Sequence, residues 1–231
     1  MKLVRWIGRF VFKIALWFFG LSIGLVILYR FLPVPITPLM VIRLFEQAVD
    51  SKKEMRLYKD WESIENISRH APQAVVAAED QKFLDHHGFD LEAMKKAWEN
   101  NKKGKRIKGA STITQQTVKN VFLWPSRSYI RKGLEAYFTV LVELVWSKER
   151  ILEVYLNVIE MGDGIYGIEA AAQTFFKKPA ANLTRGQAAL IAAVLPNPRR
   201  WNPAKPTAYI QGRQTWILRQ MTNLEPVGFG K

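Results

Sequence analysis

The sequence contains no cysteine and only three histidines among its 231 residues. The absence of cysteine excludes disulfide bonds, zinc sites with thiolate ligands and thiol nucleophiles, although it does not fix the redox compartment. His70, His86 and His87 are too few and too crowded to form an obvious metal cluster. Acidic residues are also scarce, with 20 Asp and Glu against 34 Lys and Arg, which gives a net charge of +14. This excess favours an anionic partner such as nucleic acid, a lipid surface or a phosphate-bearing substrate.

No segment alternates apolar and polar residues over a convincing strand length, and no internal repeat is visible. The hydrophobic content of 48% is enough for one domain with a core plus a small extra element. Apolar residues recur with helical spacing from about residue 39 to residue 223. We therefore predict a mainly α globular domain.

Capping residues and stretches rich in proline or glycine divide this region into separate predicted helices. These helices cover about 73–85, 90–104, 111–123, 129–146, 147–162, 168–176, 185–195 and 207–223. Helical spacing also occurs over 41–49, and a short amphipathic stretch covers 61–68. Thr112 and Thr184 are each followed three residues later by glutamine, which is the pattern of a capping box. Asp90 and Ser147 are predicted N-caps of two further helices.

An apolar run without charge over 14–29 follows a basic N-terminus. The run is a little short for a spanning helix, but aromatic neighbours lengthen it and Lys13 can extend to the headgroups. A cleaved signal peptide is the main alternative, yet the following LYRFLPVP offers no small-x-small cleavage site. We therefore predict an uncleaved transmembrane helix over 10–32.

The basic residues before this helix predict a cytoplasmic N-terminus over 1–9, although Arg30 and Arg43 behind it weaken the asymmetry. The rest of the chain then lies outside the cytoplasm, which argues against nucleic acid as a partner. The predicted organisation continues with a connector over 33–60, a globular domain over 61–223 and a C-terminal tail over 224–231.

The stretch AEDQKFLDHHGFD over 78–90 places two acids directly after the apolar run AVVAA. On a continuous helix Glu79, Phe83 and His86 would share one face, and Asp80 would point about 100° away. Partial burial behind the apolar run would raise the pKa of Glu79 and suit it to general-base catalysis. The alternative is an acid pair near a helix start with His86 as a C-terminal cap, and periodicity leaves both interpretations open.

Two further polar groups could bind an anion. Ser111 and Thr112 precede a predicted helix whose free N–H groups favour negative charge, and Gln116 and Lys119 lie one turn apart on that helix. The alternative is an ordinary capping box with a solvated lysine.

Arg131, Lys132 and Glu135 form the second group. Such spacing most often gives a surface ion pair, but here it could provide a second carboxylate among cations that hold a pyrophosphate.

Glu153 and Asn157, one turn apart on an otherwise apolar helix, could be inward-facing structural groups.

Five stretches, in this order, resemble the motifs of the peptidoglycan glycosyltransferases, glycosyltransferase family 51. They are EDQKFLDHHGFD, GASTITQQTVKN, RKGLEAYFTVLVE, KERILEVYLNVIEMGDGIYGIEAAAQTFF and AALIAAVLPNP. The resemblance covers about 61–202 and is highly specific, because chance agreement at five ordered motifs is negligible. The short remainder leaves no room for a transpeptidase domain, so we expect the monofunctional form found in Gram-negative bacteria.

The resemblance implies a lysozyme-like, mainly α domain with a small membrane-associated jaw lobe. It implies the substrate lipid II, a disaccharide-pentapeptide on undecaprenyl pyrophosphate, with the growing lipid-linked glycan as donor and the next lipid II as acceptor. The implied reaction forms a β-1,4 linkage with inversion and releases undecaprenyl pyrophosphate. The implied location is the bacterial inner membrane, with the catalytic domain in the periplasm.

The resemblance also implies residue roles. Glu79 would be the general base that deprotonates the acceptor 4-hydroxyl, and Glu135 the second essential glutamate, near the donor pyrophosphate. The implied substrate-binding or supporting positions are Asp80, Phe83, His86, Ser111, Thr112, Gln116, Lys119, Arg131, Lys132, Arg150, Glu153 and Asn157.

A divalent cation, Mg²⁺ or Mn²⁺, is often used in the family, although the sequence shows no dedicated metal cage, and no organic cofactor is expected. The expected partners are lipid II, the lipid-linked glycan, the membrane and proteins of cell-wall synthesis and division. No nucleic acid is expected.

One position departs from the family pattern, since Ala110 follows Gly109 where a second glycine is usual. If that position needs a positive φ, alanine would cost about 1 kcal/mol.

Two alternative functions remain. A lysozyme-like lytic enzyme would use a lone glutamate as an acid, against which the cationic set over 112–131 argues. A non-catalytic membrane-anchored cell-wall interaction protein would need neither Glu79 nor Glu135.

Overall fold

The computed structural model describes residues 2–50, 54–102, 111–126 and 128–228. The departure at Ala110 and the basic loop around it lie outside these residues. The described part is mainly α, as predicted. Its helices are α1 (Lys2–Phe31), α2 (Pro38–Val49), α3 (His70–Glu79), α4 (Leu91–Lys102), α5 (Ile113–Phe122), α6 (Tyr129–Val145), α7 (Lys148–Val158), α8 (Ile168–Phe176), α9 (Arg185–Val194) and α10 (Ala208–Asn223), with 3-10 turns at Ile64–Asn66 and Ala180–Asn182.

The N-terminal helix α1 is long and apolar enough over Val4–Phe31 to cross a membrane, and only 11% of an apolar 18-residue window within it is buried. Its C-terminal half nevertheless docks on the rest of the protein. Trp146 Nε1 donates to the Val26 carbonyl at 2.7 Å, and the hydroxyls of Ser22 and Tyr137 lie 2.7 Å apart. The apolar helix is therefore fixed against the domain at one end.

Helix α2 forms within the stretch predicted as a connector. Thr37 Oγ1 accepts from Met40 N at 3.3 Å and Pro38 occupies the first helical position, where its missing N–H has no cost. Met40 and Gln47 are buried, and Gln47 Oε1 accepts from Arg56 N at 2.8 Å. Residues 33–60 therefore include a helix that packs on the domain.

The remaining helices form two groups. Helix α3 packs against α9 and α10, and α5 packs against α6 and α7. Both α3 and α9 bury alanines, among them Ala74, Ala77, Ala189 and Ala192, whose small side chains allow close approach. The C-terminal end of α3 therefore lies where the two groups meet.

A small sheet closes one edge of the domain. Its strands are β1 (Tyr58–Lys59), β2 (Glu160–Gly162) and β3 (Ile165–Tyr166), in the order β1-β3-β2. Strand β3 runs parallel to β1 and antiparallel to β2. These strands have two or three residues, too few for alternation to predict them.

The predicted caps are confirmed. Thr112 and Thr184 both form complete capping boxes with Gln115 and Gln187. The hydroxyl of Ser147 accepts from Arg150 N, and the Asp90 carboxylate accepts from Ala93 N at 2.8 Å. Local sequence therefore fixes where these helices begin.

The helix predicted over 73–85 is wrong at its C-terminal end. Helix α3 ends at Glu79, and Asp80 follows with φ −159° and ψ 79°. The Asp80 carboxylate instead accepts from Ile113 N at 2.9 Å, a contact that no local pattern predicts. The helix predicted over 147–162 is likewise too long, since α7 ends at Val158 and β2 follows.

Candidate active site

Glu79 is the last residue of α3, and its carboxylate is only partly exposed. Gln116 Nε2 donates to Glu79 Oε2 at 2.9 Å, and Gln116 Oε1 accepts from the hydroxyl of Tyr155 at 3.2 Å. Tyr155 is fully buried on α7, and burial raises its pKa, so the phenol stays a donor. The amide orientation of Gln116 is thereby fixed with a donor toward Glu79.

Burial raises the pKa of Glu79 above its ordinary value of 4.5. The hydrogen bond from Gln116 and the positive charges of Arg213 and Lys119 oppose that rise, and the neighbouring Asp80 adds to it. A carboxylate kept partly from water is a stronger base than a solvated one. Glu79 is therefore suited to take a proton from a bound hydroxyl.

Asp80 supports the site from within the fold. Its carboxylate is buried and accepts from His86 Nε2 at 2.9 Å as well as from the first N–H of α5. His86 Nδ1 accepts from Gly88 N at 3.1 Å, which assigns the proton to Nε2. The predicted shared helical face of Glu79, Phe83 and His86 does not exist, because α3 ends at Glu79.

Two residues predicted to bind substrate are instead buried in the structure. Phe83 has no exposed surface, and its ring lies 4.7 Å from Lys148 Nζ. Thr112 is 2% exposed and its hydroxyl donates to the Gly88 carbonyl at 2.7 Å. Both help to shape the site, and their role in substrate binding stays a prediction. Ser111 beside Thr112 is exposed.

Glu135 lies buried on α6 between two cations. Its Oε2 is 2.6 Å from Arg131 Nη1 and its Oε1 is 2.5 Å from Lys132 Nζ. Arg131 Nε also donates to the Ser126 carbonyl at 2.6 Å, so the guanidinium is held at both edges. Glu135 therefore acts in this arrangement as an anchor for cations, not as an exposed base.

Lys119 connects the two glutamates electrostatically. Partial removal from water lowers the pKa of its ammonium, the charges of Glu135 and Glu79 raise it, and that of Arg131 lowers it. Lys119 therefore lies within the field of both carboxylates, on the α5 side of Glu79. Lys119 is thus the cation that links Glu79 to the group formed by Arg131, Lys132 and Glu135.

An open cavity of about 590 Å³ lies next to this cluster, and Lys119, Arg131, Arg43 and Glu160 all line it. Arg43 Nε and Glu160 Oε1 are buried without a hydrogen-bond partner among the described residues. Burial raises the pKa of Glu160, and the charge of Arg43 opposes this. Sequence reasoning used Arg43 only for membrane orientation and did not single out Glu160, because their proximity depends on α2 packing beside α5.

Three residues of the fourth motif, Arg150, Glu153 and Asn157, are not among those that line this cavity, and they hold other chain segments together. Asn157 is fully buried: its Oδ1 accepts from Glu62 N at 2.8 Å and its Nδ2 donates to the Glu62 carbonyl at 2.7 Å. Glu153 accepts from Ile64 N, and Arg150 donates to the carbonyls at the end of α1, of which Leu32 O is 2.5 Å away. These contacts agree with the interpretation of Glu153 and Asn157 as inward-facing structural groups, and a role of the three residues in substrate binding stays a prediction.

No group of three or more histidine, aspartate or glutamate side chains that could hold a metal ion occurs in the part of the chain that the structure describes. These residues therefore do not fit a protein cage for Mg²⁺ or Mn²⁺. The arrangement combines a desolvated carboxylate with an adjacent cationic cavity, which suits proton removal beside a bound phosphate group.

Glu79→Gln should stabilise the protein at neutral pH. The raised pKa means that the folded chain binds this proton more tightly than the unfolded chain does. Folding is thus favoured below the ordinary pKa of 4.5, and that contribution is lost as pH rises through the raised value. Urea unfolding in detergent at pH 7 should show a gain of about 1 kcal/mol for the variant, shrinking toward pH 4. An equal gain at both pH values would contradict the desolvation of Glu79.

Comparison of the sequence with known proteins identifies the family to which the chain is similar. Residues 46–222 match the family described as Transglycosylase. The proteins named biosynthetic peptidoglycan transglycosylase from Bdellovibrio bacteriovorus and Bacteroides thetaiotaomicron are each 54% identical to the chain, covering 96% of it and 89% of their own length. The protein of that name from Caulobacter vibrioides is 56% identical over 81% of the chain and 79% of its own length. With this extent of similarity and a mainly α, lysozyme-like domain built around Glu79, the chain belongs to the transglycosylase family.

Proposed function

We propose that the protein is a peptidoglycan glycosyltransferase that extends a lipid-linked glycan from lipid II. The observation that carries this proposal is the placement of Glu79, as a base with a raised pKa, beside the cationic cavity lined by Lys119 and Arg131. The activity named for the relatives requires such a pair of features. The donor must lose a pyrophosphate, and the acceptor must lose a proton.

In the proposed step, the Glu79 carboxylate takes the proton of the acceptor 4-hydroxyl. The oxygen attacks C1 of the donor sugar as the bond from C1 to the pyrophosphate oxygen breaks. The electron pair leaves with the lipid pyrophosphate, and attack opposite the leaving group converts the α linkage into a β-1,4 linkage. Gln116 contributes by holding Glu79 Oε2 at 2.9 Å, so that the other carboxylate oxygen remains for the hydroxyl.

The cations stabilise the departing group. A pyrophosphate leaves as a stable anion and needs positive charge rather than a protonated acid. Lys119 and Arg131 line the cavity, and Glu135 holds Arg131 and Lys132 in place through its two carboxylate oxygens. A divalent cation belongs to the proposal only as a companion of the substrate phosphates, since the described residues present no cage for it.

This electrostatic arrangement also distinguishes the proposal from a lytic function. A lysozyme-like hydrolase would protonate a glycosidic oxygen and has no use for a set of phosphate-binding cations. Here two cations flank Glu135, and the pair Lys119 and Arg131 faces the same cavity. Glycan polymerisation accounts for both the base and the cations.

Glu79→Gln should abolish polymerisation of lipid II. The test incubates the purified protein with labelled lipid II and measures the length of the glycan product on a gel. Gln keeps the size and hydrogen bonding of the side chain but removes the base, so we expect a rate loss of at least about 100-fold. Glu99→Gln, at an exposed site on α4, is the matched control and should polymerise normally. Retention of more than a few per cent of the rate by Glu79→Gln would remove the general-base role.

Lys119→Ala and Arg131→Ala should weaken use of the donor more than use of the acceptor. Each variant loses a charge-assisted contact to the pyrophosphate. We therefore expect the donor concentration that gives half-saturation to rise about 10- to 100-fold. Single-turnover coupling with separately labelled donor and acceptor measures both constants, with Lys95→Ala as a control for loss of an exposed charge. Equal defects for the two substrates would place the cations elsewhere.

We further propose that α1 is an uncleaved anchor in the bacterial inner membrane, with the domain in the periplasm. Its apolar span within Val4–Phe31 and the basic residues between positions 2 and 13, at its N-terminal end, support this orientation. An anchor also raises the concentration of the enzyme at the surface that carries lipid II. Proteins of cell-wall synthesis and division remain proposed partners.

The orientation is testable with a reporter fused after Lys231 that is active only in the periplasm. We expect the reporter to be active. We also expect the protein to be recovered at full length in the membrane fraction. Recovery of a soluble protein beginning near Pro33 would contradict the uncleaved anchor.

A further inference from the structure

A second exposed feature lies near Glu79, on the outward face of α10. Tyr209, Gly212, Arg213 and Trp216 follow the spacing i, i+3, i+4 and i+7, which places them on one helical face. They line an open cavity of about 450 Å³ together with Ala208. We call this surface the α10 platform.

The aromatic side chains of the platform are not part of the core. Tyr209 is 53% exposed and Trp216 is 46% exposed, whereas Ile210, Ile217 and Met221 on the same helix are buried. Trp201 extends the platform, with its ring 5.5 Å from that of Tyr209. Large exposed aromatic surfaces that line a cavity are typical of binding sites.

Gly212 is not explained by packing within the protein. It lies inside α10, where glycine costs about 1 kcal/mol relative to alanine. A Cβ atom at this position would meet nothing within 4 Å. The missing side chain leaves a shallow depression between Tyr209 and Trp216, which is open to a flat ligand.

The platform is continuous with the active site. The charge of Arg213 reaches Glu79, and its Nε donates to the Ala193 carbonyl at 3.1 Å. No acidic side chain pairs with Arg213 in the described ranges. Gln220, one turn beyond Trp216, accepts from Gln81 Nε2 at 3.4 Å, two residues after Glu79. The platform therefore runs alongside the end of α3.

The platform and the phosphate cavity share no lining residue. Lys119 and Arg131 belong to the group formed by α5, α6 and α7, whereas Arg213 belongs to the group formed by α3, α9 and α10. In a displacement with inversion, the acceptor oxygen approaches C1 opposite the leaving pyrophosphate. A sugar on the platform, beside the base and away from the residues that line the phosphate cavity, would be placed as an acceptor.

We propose that the α10 platform binds the amino-sugar disaccharide of the acceptor. This inference rests on the proposed function and names a surface for its second substrate. The C–H bonds on one face of a pyranose ring carry partial positive charge and stack on the electron-rich faces of Trp216 and Tyr209. Gly212 leaves room for the ring between them, and Arg213 donates hydrogen bonds to its polar substituents.

The direct test is binding of a soluble disaccharide-peptide that lacks lipid and pyrophosphate, measured by saturation-transfer NMR with the full-length protein in detergent. This ligand cannot act as a donor, so the signal does not depend on polymerisation. We expect saturation transfer from the wild-type protein to the pyranose ring protons of the ligand. This transfer should be lost in Trp216→Ala and retained in Trp216→Phe. Trp98→Ala, which removes an exposed tryptophan from α4, is the matched control and should bind normally.

Gly212→Leu is the sharper variant. It replaces a mid-helix glycine with a strong helix former, so its thermal midpoint should stay the same or rise. At the same time the leucine side chain fills the depression. In single-turnover coupling, the acceptor concentration that gives half-saturation should therefore rise about tenfold, and the rate at saturation should change less than about twofold. A fall in stability with unchanged acceptor use would overturn the assignment.

Other outcomes also decide the matter. Equal ring-proton transfer in wild type and Trp216→Ala would overturn the proposal even if the protein polymerises lipid II. If Trp216→Ala and Tyr209→Ala reduce only attachment to vesicles without lipid II, the platform is a membrane-contact surface and the proposal fails. Failure of the proposed reaction itself would appear separately, as polymerisation by Glu79→Gln.

Discussion

The hydrogen-bonded series from Tyr155 through Gln116 to Glu79 joins three helices at a single point, with distances of 3.2 and 2.9 Å. Helix α7 supplies a buried phenol that donates to the amide oxygen of Gln116, α5 supplies this amide, whose nitrogen donates to Glu79, and α3 ends at that carboxylate. Because the two helix groups of the domain meet here, a shift of any one helix would misplace the base. A deviation of about 1 Å in such an arrangement can cost about two orders of magnitude in rate.

The site is supported by a second layer that does not touch the cavity. Asp80 joins the turn after α3 to the first N–H of α5, and Thr112 joins the same helix to the Gly88 carbonyl. Gly88 has a φ of 81°, and a Cβ there would lie 2.5 Å from Thr139 Cγ2, so only glycine fits. Buried polar groups thus hold the first and second motifs together, which explains why many residues of these motifs need not contact a ligand.

Local sequence predicted much of this architecture, because helix starts depend on neighbours in the chain. The capping boxes at Thr112 and Thr184 are where the spacing of threonine and glutamine placed them. The end of α3 was missed because Asp80 is held by Ile113, more than thirty positions away. The proximity of Arg43, Tyr155 and Arg213 to the site also depends on tertiary packing, so no periodicity could reveal it. The resemblance to a family identified Glu79, whereas periodicity alone left it undecided between a base and a helix end.

The central claim is that Glu79 is a carboxylate deprived of water and balanced by the positive charges of Arg213 and Lys119. The most direct measurement is its protonation midpoint, obtained as the carboxyl infrared band that is present in the wild type and absent from Glu79→Gln. The account predicts a midpoint above the ordinary value of 4.5, and a further rise in Arg213→Gln, because the charge of Arg213 lowers the pKa of Glu79. A midpoint at or below 4.5, unchanged by removal of Arg213, would contradict it.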